Sequence, residues 1–307
     1  MSSGLPILRA FGQTSSEVVL REPGERFLSA PRSIERYARE HWEFAWLSVA
    51  AYQKTHAGAK ETVRRIRARQ RPDPDPDPEA PLAAAGWLRW TDFPDDALLA
   101  QIGSTHLRVE VWQRQEPPAV AVTFGGTVFN NEADWKANLR WFLPGQQDEY
   151  TTVVQTFAPA FAAQLKRRLE GMAPEWLERL ELFSTGHSLG GGLAQQFAYS
   201  LPLESVKHVK QVYAFDPSPV TGFYSVRKAL RNQNKRELKI DRIYERGEIL
   251  AILRSLMSVI YKPSAQHPRI RGVRYAVFRA WNAIAAHSII QLAQKLDGVV
   301  RGAEMRG

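Results

Sequence analysis

The chain of 307 residues contains no cysteine, and this absence excludes disulfide bonds, a thiol nucleophile and zinc bound through cysteine. Long apolar runs are also missing, because polar side chains interrupt even the most apolar late stretch, residues 276–292, too often for a segment embedded in lipid. Residues 1–6 lack the basic and apolar regions of a Sec signal peptide. We therefore expect neither a Sec signal nor a transmembrane helix, which leaves the cytoplasm and export by a leaderless route as alternative locations.

Acidic residues are fewer than basic ones. The 41 lysines and arginines, against 32 aspartates and glutamates, give a formal net charge of +9 and a pI near 9.8. Such a charge attracts anionic surfaces, whether nucleic acid, phospholipid headgroups or an acidic protein, and composition does not distinguish among them. The hydrophobic fraction of 44% and the charged fraction of 24% are those of a globular protein, so they exclude a disordered or fibrous chain.

Strand and helix patterns alternate through residues 105–307, the predicted main domain. Apolar or alternating runs predict strands at residues 107–112, 119–124, 180–183, 211–215 and 239–244. Helical spacing predicts helices over residues 152–169, after Gly190 and over most of residues 275–296. This alternation is typical of the α/β class, with a mostly parallel central sheet flanked by helices.

Residues 1–104 are predicted to be an N-terminal helical extension packed on the main domain. A helix is expected from Ser33 onward, because apolar residues recur at helical spacing through residues 42–50. Residues 72–81 contain alternating prolines and aspartates, which predict an exposed, polyproline-like spacer. The first thirty residues have no firm period and stay unassigned.

The sharpest local signal is the run Gly186-His187-Ser188-Leu189-Gly190-Gly191-Gly192, between a predicted buried strand and a predicted helix. A nucleophile elbow requires small residues around its serine, because the turn is strained and its backbone approaches the neighbouring strands closely. The alternative is a glycine-rich turn that binds a phosphate or nothing. A Walker-type phosphate loop is excluded, because no lysine follows the glycines.

A nucleophilic serine needs a histidine base, and α/β-hydrolases carry the triad in the order serine, acid, histidine. That order excludes the histidines at positions 41, 56 and 106, which precede Ser188. His187 is interpreted as structural and His208 as a surface residue, which leaves His267 and His287. We favour His287, because it precedes an apolar helix that would dock against the sheet.

Two carboxylates follow predicted strands at suitable places for the acid of the triad. Asp216 ends one strand and Glu248 follows the next, and the residues alone do not separate them. Asp241 and Glu245 are weaker candidates, because they lie inside or close to the predicted strand.

Separated motifs together resemble the class 3, fungal-lipase-like family of α/β-hydrolases over residues 107–296. Val122-Thr123-Phe124-Gly125-Gly126-Thr127 is similar to the family's oxyanion-loop motif, and Asp134-Trp135 follows as its D-W pair does. The serine motif has the family's commonest elbow spelling. Later motifs of the family are matched by residues 212–222 and 243–250 and by His287-Ser288, and its N-terminal A-x-x-A-Y helix by Leu47 to Tyr52.

The resemblance implies an α/β-hydrolase fold and a triad of Ser188, Glu248 and His287. Glu248 falls on the family's aspartate position, a departure that keeps the carboxylate, and Asp216 is the alternative acid. Thr127 and Leu189 are the implied oxyanion-hole residues.

Two features of the oxyanion region are left open by the sequence. Gly125 stands where the family usually has arginine, which puts the rigidity of the oxyanion loop in question. Residues 128–143 lie where family lipases keep a lid helix, and an ordinary amphipathic helix packed on the core is an equal alternative.

The leading hypothesis is a serine hydrolase that cleaves carboxylic esters of acyl lipids, as a lipase or phospholipase A, through an acyl-enzyme. This chemistry needs no cofactor and no metal. Seven cationic residues favour a phospholipid substrate at an anionic membrane surface, and a solvated connection between two strands is the alternative interpretation of this cluster. They are Arg227, Lys228, Arg231, Lys235, Arg236, Lys239 and Arg242.

Two alternatives stay open beside this hypothesis. One is a catalytically weak or inactive hydrolase fold that acts as a basic module binding anionic membranes; no recognised nucleic-acid motif is present, so a nucleic-acid partner is not expected. The other is a toxin-like lipase effector, for which an inhibitor or immunity protein would be the partner.

Overall fold

A computed structural model describes residues 17–53, 76–103, 107–126, 148–218, 221–245, 265–277 and 288–305. Its strands are Glu17–Arg21 (β1), Arg32–Ser33 (β2), Trp87–Arg89 (β3), Val109–Arg114 (β4), Ala119–Phe124 (β5), Glu181–His187 (β6), Val209–Phe215 (β7), Lys239–Glu245 (β8) and Arg269–Ala276 (β9). All nine join one sheet in the order β2-β1-β9-β8-β7-β6-β5-β4-β3.

Helices connect and cover these strands. They are Glu35–Gln53 (α1), Glu79–Ala84 (α2), Asp96–Gly103 (α3), Asp148–Thr152 (α4), Ala158–Leu169 (α5), Pro174–Arg179 (α6), Leu189–Ser200 (α7), Lys228–Asn234 (α8) and Ile289–Glu304 (α9). A π-helical turn, Val153–Phe157, joins α4 to α5, and a 3₁₀ turn, Phe223–Ser225, precedes α8. No helix in the described ranges has the length and apolar character needed to cross a lipid bilayer.

The centre of the sheet is parallel and its edges are antiparallel. Strands β5 to β9 run parallel to one another, whereas β1, β2, β3 and β4 pair antiparallel with their neighbours. The predicted α/β class with helices on both faces is confirmed. The predicted hairpin is present as β4 and β5, and the later predicted strands are present as β6, β7 and β8.

Each face of the sheet carries its own apolar core. On one face the π-helical turn, α5 and α7 pack against the sheet through an aromatic cluster of Phe124, Phe157, Phe161 and Phe197. On the other face α1 and α9 pack together and cover the same strands. Strand β5 is buried at every position, which explains why its sequence is a continuous apolar run without alternation.

Several boundaries differ from the sequence predictions. Tyr275 and Ala276 lie in strand β9 and not in a helix, because the register pairs them with β8 and β1. Strands β1 and β3, from the predicted helical extension, join the same sheet. Within the predicted spacer, residues 72–75 are outside the described residues, whereas α2 begins at Glu79 and buries Pro81. The predicted extended conformation is therefore wrong for residues 79–81, which are helical, and the predicted exposure is wrong for Pro78 and Pro81, whereas Glu79 and Ala80 are exposed.

A polar network joins helix α1 to strands β8 and β9. The Asp241 carboxylate, buried on β8, accepts hydrogen bonds from His41 Nε2 at 3.1 Å and from Arg271 Nε at 2.9 Å. His41 Nδ1 lies 2.7 Å from the Tyr275 hydroxyl, and Arg271 also bonds Glu40 Oε2 at 2.8 Å. Because these residues come from α1, β8 and β9, the network fixes the position of α1 on the sheet.

The charge state of Asp241 makes this network dependent on pH. Burial by itself would raise the pKa of the Asp241 carboxyl, but hydrogen bonds and charge from His41 and Arg271 hold that pKa below its ordinary value of 3.8. The folded pKa is therefore lower than the unfolded pKa. The carboxylate stabilises the fold above pH 3.8, and this contribution is lost as the pH falls through the lower, folded pKa.

We expect Asp241→Asn to lower the free energy of unfolding at pH 7 by about 3–5 kcal/mol, because Arg271 would lose its buried counter-charge. The variant should also lose less stability than the wild type between about pH 5 and pH 2. Denaturant unfolding across this pH range measures both effects. The exposed Glu237→Gln is the control, expected to change stability by less than about 0.5 kcal/mol. An equal effect of both substitutions would contradict the assigned role of the network.

Candidate active site

Ser188 occupies a strained turn between β6 and α7. Its backbone has φ 58° and ψ −123°, a combination that a residue with a side chain rarely adopts. Strain of this kind costs about 1–3 kcal/mol and persists only where the surrounding structure enforces it. The turn lies at the carboxyl end of β6, and only 3% of Ser188 is exposed.

Backbone hydrogen bonds hold this turn in place. The Ser188 N–H donates to the Phe215 carbonyl at 2.9 Å, which joins the turn to the end of β7. The Ser188 carbonyl accepts from the Gly191 N–H and from the Ser218 N–H, both at 3.0 Å. The turn is thus tied both to its own helix and to the chain that follows the neighbouring strand.

Two glycines allow the first turn of α7 to press against the sheet. A Cβ atom at Gly190 would lie 2.2 Å from the Phe124 carbonyl oxygen, and one at Gly186 would lie 2.4 Å from the Gly190 carbonyl oxygen. Neither distance is sterically allowed, so both positions require glycine. The sequence prediction of a close approach at these positions agrees with this geometry.

The region of the predicted oxyanion hole is described in part. Leu189 is the first residue of α7, and Gly125 and Gly126 follow β5 beside it. Thr127 and the predicted lid, residues 128–143, lie outside the described residues. Gly125 has a steric explanation, because a Cβ atom there would lie 2.9 Å from both the Ala51 carbonyl oxygen and Arg108 Cβ. The arginine usual in class 3 relatives does not fit at this position.

Among the candidate acids, the structure brings Asp216 next to the serine turn. Asp216 follows β7 directly, has φ 38° and is 1% exposed, and the register places the end of β7 beside His187.

Glu245 ends β8, is also buried, and accepts a hydrogen bond from the Val277 N–H at 3.0 Å. Asp241 lies four residues before Glu245 on β8 and is held by His41 and Arg271. Glu248 lies outside the described residues.

Four of the seven histidines are described, and each has a position that argues against a role as base. His208 and His267 are exposed and precede β7 and β9, at the amino edge of the parallel strands, whereas Ser188 lies at the carboxyl edge. His41 is bound to Asp241 on β8, and His187 is bound to Tyr52. His56, His106 and His287 lie outside the described residues.

Tyr52 is a residue of the site that sequence reasoning did not assign. It lies near the end of α1, and its hydroxyl lies 2.9 Å from His187 Nδ1 and 3.3 Å from the His187 carbonyl oxygen. In the sequence, only the similarity of residues 47–52 to the family's N-terminal helix points to this tyrosine, and that similarity does not indicate which residues the tyrosine contacts. The contact joins residues 135 positions apart in the chain.

Within the described ranges, one group of potential metal ligands comes together, formed by Glu40, His41 and Asp241. The Arg271 guanidinium already bonds both Asp241 oxygens and Glu40. The Arg271 guanidinium therefore occupies the position between these carboxylates that a metal ion would need. We interpret Glu40, His41 and Asp241 as a structural group.

The seven cationic residues of the 227–242 connection are not all exposed. Arg242 bonds Gln195 Oε1 on α7 at 2.9 Å, and Arg231 lies over the rings of Phe223 and Tyr224. Arg227, Lys228, Arg236 and Lys239 are exposed, and Lys235 is half-buried. Four of the seven cations are therefore exposed, so fewer side chains can contact a membrane than the sequence count implies.

A comparison with protein-family models matches residues 45–206 to a family described as phospholipase-like, with a Tle-like phospholipase domain. The matched residues include Ser188, Leu189, Thr127 and Tyr52, and they end before Asp216, Glu248 and His287. The match supports a lipase- or phospholipase-like family; the finer resemblance to class 3 lipases stays a prediction. No curated protein matches the chain.

Alanine at two helical glycines should have opposite effects, which tests the packing of the serine turn. Alanine normally stabilises a helix relative to glycine, so Gly298→Ala, at an exposed position of α9 with open space, should raise stability by about 0.5–1 kcal/mol. Gly190→Ala should instead lower stability by about 1–3 kcal/mol, because its Cβ would overlap the Phe124 carbonyl oxygen. Thermal unfolding measures both, and a stabilised Gly190→Ala variant would contradict the close approach.

Proposed function

Because the chain belongs to the Tle-like phospholipase family, we propose that it is a serine hydrolase that cleaves carboxylic ester bonds of phospholipids. The observation that carries the proposal is the backbone of Ser188, held at φ 58° between a parallel strand and a helix. Nucleophile elbows place their serine in this way, at the carboxyl end of the sheet. A plain phosphate-binding turn has no need for a strained serine at this point.

In the proposed mechanism Ser188 Oγ attacks the ester carbonyl while His287 accepts its proton. The tetrahedral intermediate expels the alcohol, to which His287 returns the proton, and leaves an acyl-enzyme. Water then attacks the acyl group while His287 accepts its proton, and the fatty acid is released as His287 returns this proton to Ser188 Oγ. Backbone N–H groups of Thr127 and Leu189 would stabilise the oxyanion in both steps.

The choice of His287 as base is supported by elimination. The described histidines at positions 41, 187, 208 and 267 are either engaged elsewhere or lie at the opposite edge of the sheet. Of the others, His56 and His106 precede the serine, whereas His287 follows it and stands directly before α9. Chain order therefore favours His287.

The proposed acid is Glu248, with Asp216 as the alternative. Glu248 follows β8, two strands from the serine, at the position where the class 3 resemblance has its aspartate. Asp216 follows the adjacent strand β7 and lies beside the serine turn. A carboxylate at either place can hold the histidine in the required tautomer.

The proposed substrate is a phospholipid at an anionic membrane surface, with a neutral acylglycerol as the runner-up. The exposed cations of the 227–242 connection and the net charge of +9 favour anionic lipid. A toxin-like lipase effector would use the same chemistry. That alternative differs in biological role and adds an inhibitor or immunity protein as a partner.

We expect Ser188→Ala to abolish hydrolysis, lowering kcat by about 10⁴- to 10⁶-fold, because the nucleophile is removed. Both proteins would be incubated with phosphatidylglycerol vesicles, phosphatidylcholine vesicles and a triacylglycerol emulsion, and the products identified by mass spectrometry. Fatty acid plus lysophospholipid, formed fastest from the anionic vesicles, is the expected result. Vesicle sedimentation is the control, since the variant should bind as the wild type does.

Three outcomes would contradict the proposal. Full activity of Ser188→Ala would exclude the serine mechanism. Diacylglycerol or phosphatidate as product would show cleavage at phosphorus and not at the carboxylic ester. Vesicle binding without hydrolysis by the wild type would favour the inactive membrane-binding module.

A pair of isosteric substitutions separates the two acids. Glu248→Gln should lower kcat by about 10⁴-fold, because an amide no longer holds the charged form of His287 in the required orientation. Asp216→Asn should stay within about tenfold of the wild type. The kcat of each variant on the best substrate, with circular dichroism to verify folding, gives the assignment, and the reverse order of effects would make Asp216 the acid.

A further inference from the structure

Three elements of the site meet at the hydroxyl group of one side chain outside the triad. From this geometry we propose that Tyr52 is a positioning residue, which holds the serine turn and the oxyanion loop in register with each other. The inference rests on the proposed function and adds a residue from the N-terminal helix to it.

The first element is the serine turn, which Tyr52 contacts at the residue before the nucleophile. The hydroxyl lies 2.9 Å from His187 Nδ1 and 3.3 Å from the His187 carbonyl oxygen, and the two rings are in edge-to-face contact with centroids 5.8 Å apart. A phenol has one proton, so donation to the carbonyl requires that Nδ1–H donate to the Tyr52 oxygen in turn. The His187 main chain and side chain are then both fixed by the same hydroxyl.

The second element is the oxyanion loop after β5. A Cβ atom at Gly126 would lie 2.4 Å from the Tyr52 hydroxyl oxygen, 2.6 Å from the His187 carbonyl oxygen and 3.3 Å from Ser188 Cβ. The loop backbone therefore packs directly between the tyrosine hydroxyl and the nucleophile. A shift of the hydroxyl would therefore displace Gly126, the residue that precedes the proposed oxyanion donor Thr127 in the chain, relative to Ser188.

The third element is α1, which is rigidly attached to the sheet before it reaches Tyr52. The Leu47 carbonyl accepts from Thr123 Oγ1 at 2.9 Å, and Ser48 Oγ lies 3.0 Å from Thr185 Oγ1. Thr123 and Thr185 belong to β5 and β6, the two strands that lead into the oxyanion loop and the serine turn. Because α1 is held in place on β5 and β6, its residue Tyr52 can hold the serine turn and the oxyanion loop at fixed positions relative to each other.

Tyr52→Phe removes the hydroxyl and keeps the ring, so it tests positioning with little change of packing. We expect kcat to fall by about tenfold to a hundredfold with KM nearly unchanged, because a small misplacement of reacting groups affects the transition state more than substrate binding. The rate at which a fluorophosphonate labels Ser188 should fall by a similar factor, since this reaction also needs the serine and the oxyanion donors aligned.

Tyr275→Phe is the matched control. It also removes a tyrosine hydroxyl that contacts a histidine Nδ1, at 2.7 Å from His41, but this tyrosine is buried on β9 and lies away from the serine turn. We expect this variant to be less stable in thermal unfolding while its kcat and labelling rate stay within about twofold of the wild type. The comparison separates a local effect on the site from a general loss of stability.

The coupling between Tyr52 and Gly126 gives a second measurement. Gly126→Ala should lower the labelling rate, and the loss should be smaller in the Tyr52→Phe background, because one of the overlapping atoms is then gone. Wild-type rates for Tyr52→Phe, an equal loss of kcat in Tyr275→Phe, or strictly multiplicative effects at positions 52 and 126 would each overturn the positioning role. A wild-type protein that neither hydrolyses lipid esters nor reacts with the fluorophosphonate would instead overturn the proposed function, and this inference with it.

Discussion

The close approach of the first turn of α7 to the end of β5 is the constraint on which the site depends. The Gly190 backbone packs against the Phe124 carbonyl, so the helix must start immediately after Ser188. The chain can make this turn only by placing Ser188 in a strained conformation, which the bonds to Phe215 and Ser218 maintain. The strained conformation of Ser188 is therefore a consequence of packing between a helix and a parallel strand.

Helix α1 connects this local geometry to the rest of the fold. One end of the helix is fixed by the ion pair and hydrogen bonds around Asp241, and the other end contacts the serine turn through Tyr52. Between them, polar groups of the helix bond β5 and β6 directly. Helix α1 is thus attached directly to the sheet and contacts the serine turn, and the family match, which begins at residue 45, includes its carboxyl-terminal half.

The sequence predicts those parts of the fold and site that depend on local patterns. The hairpin of β4 and β5, strands β6 to β8 and helix α7 follow from apolar periodicity, and the serine turn follows from its glycines. Strand β9 is not predicted, because Arg269, Arg271 and Arg274 interrupt its apolar pattern, and the pairing of Arg271 with Asp241 on β8 cannot be read from the sequence. The role of Tyr52 is missed because its contacts are made with residues more than a hundred positions away.

The structure also changes what the charge of the chain means. Two arginines are paired with carboxylates of the fold, Arg271 with Asp241 and Arg114 with Glu43. Arg242 bonds the neutral Gln195, and Arg231 lies over two aromatic rings. Net charge sets the long-range attraction to an anionic membrane, but only exposed cations make contact with its headgroups. Under the proposed function, long-range attraction to an anionic membrane would therefore follow from the charge of the whole molecule, whereas contact with the headgroups would be made by exposed cations such as Arg227 and Lys228.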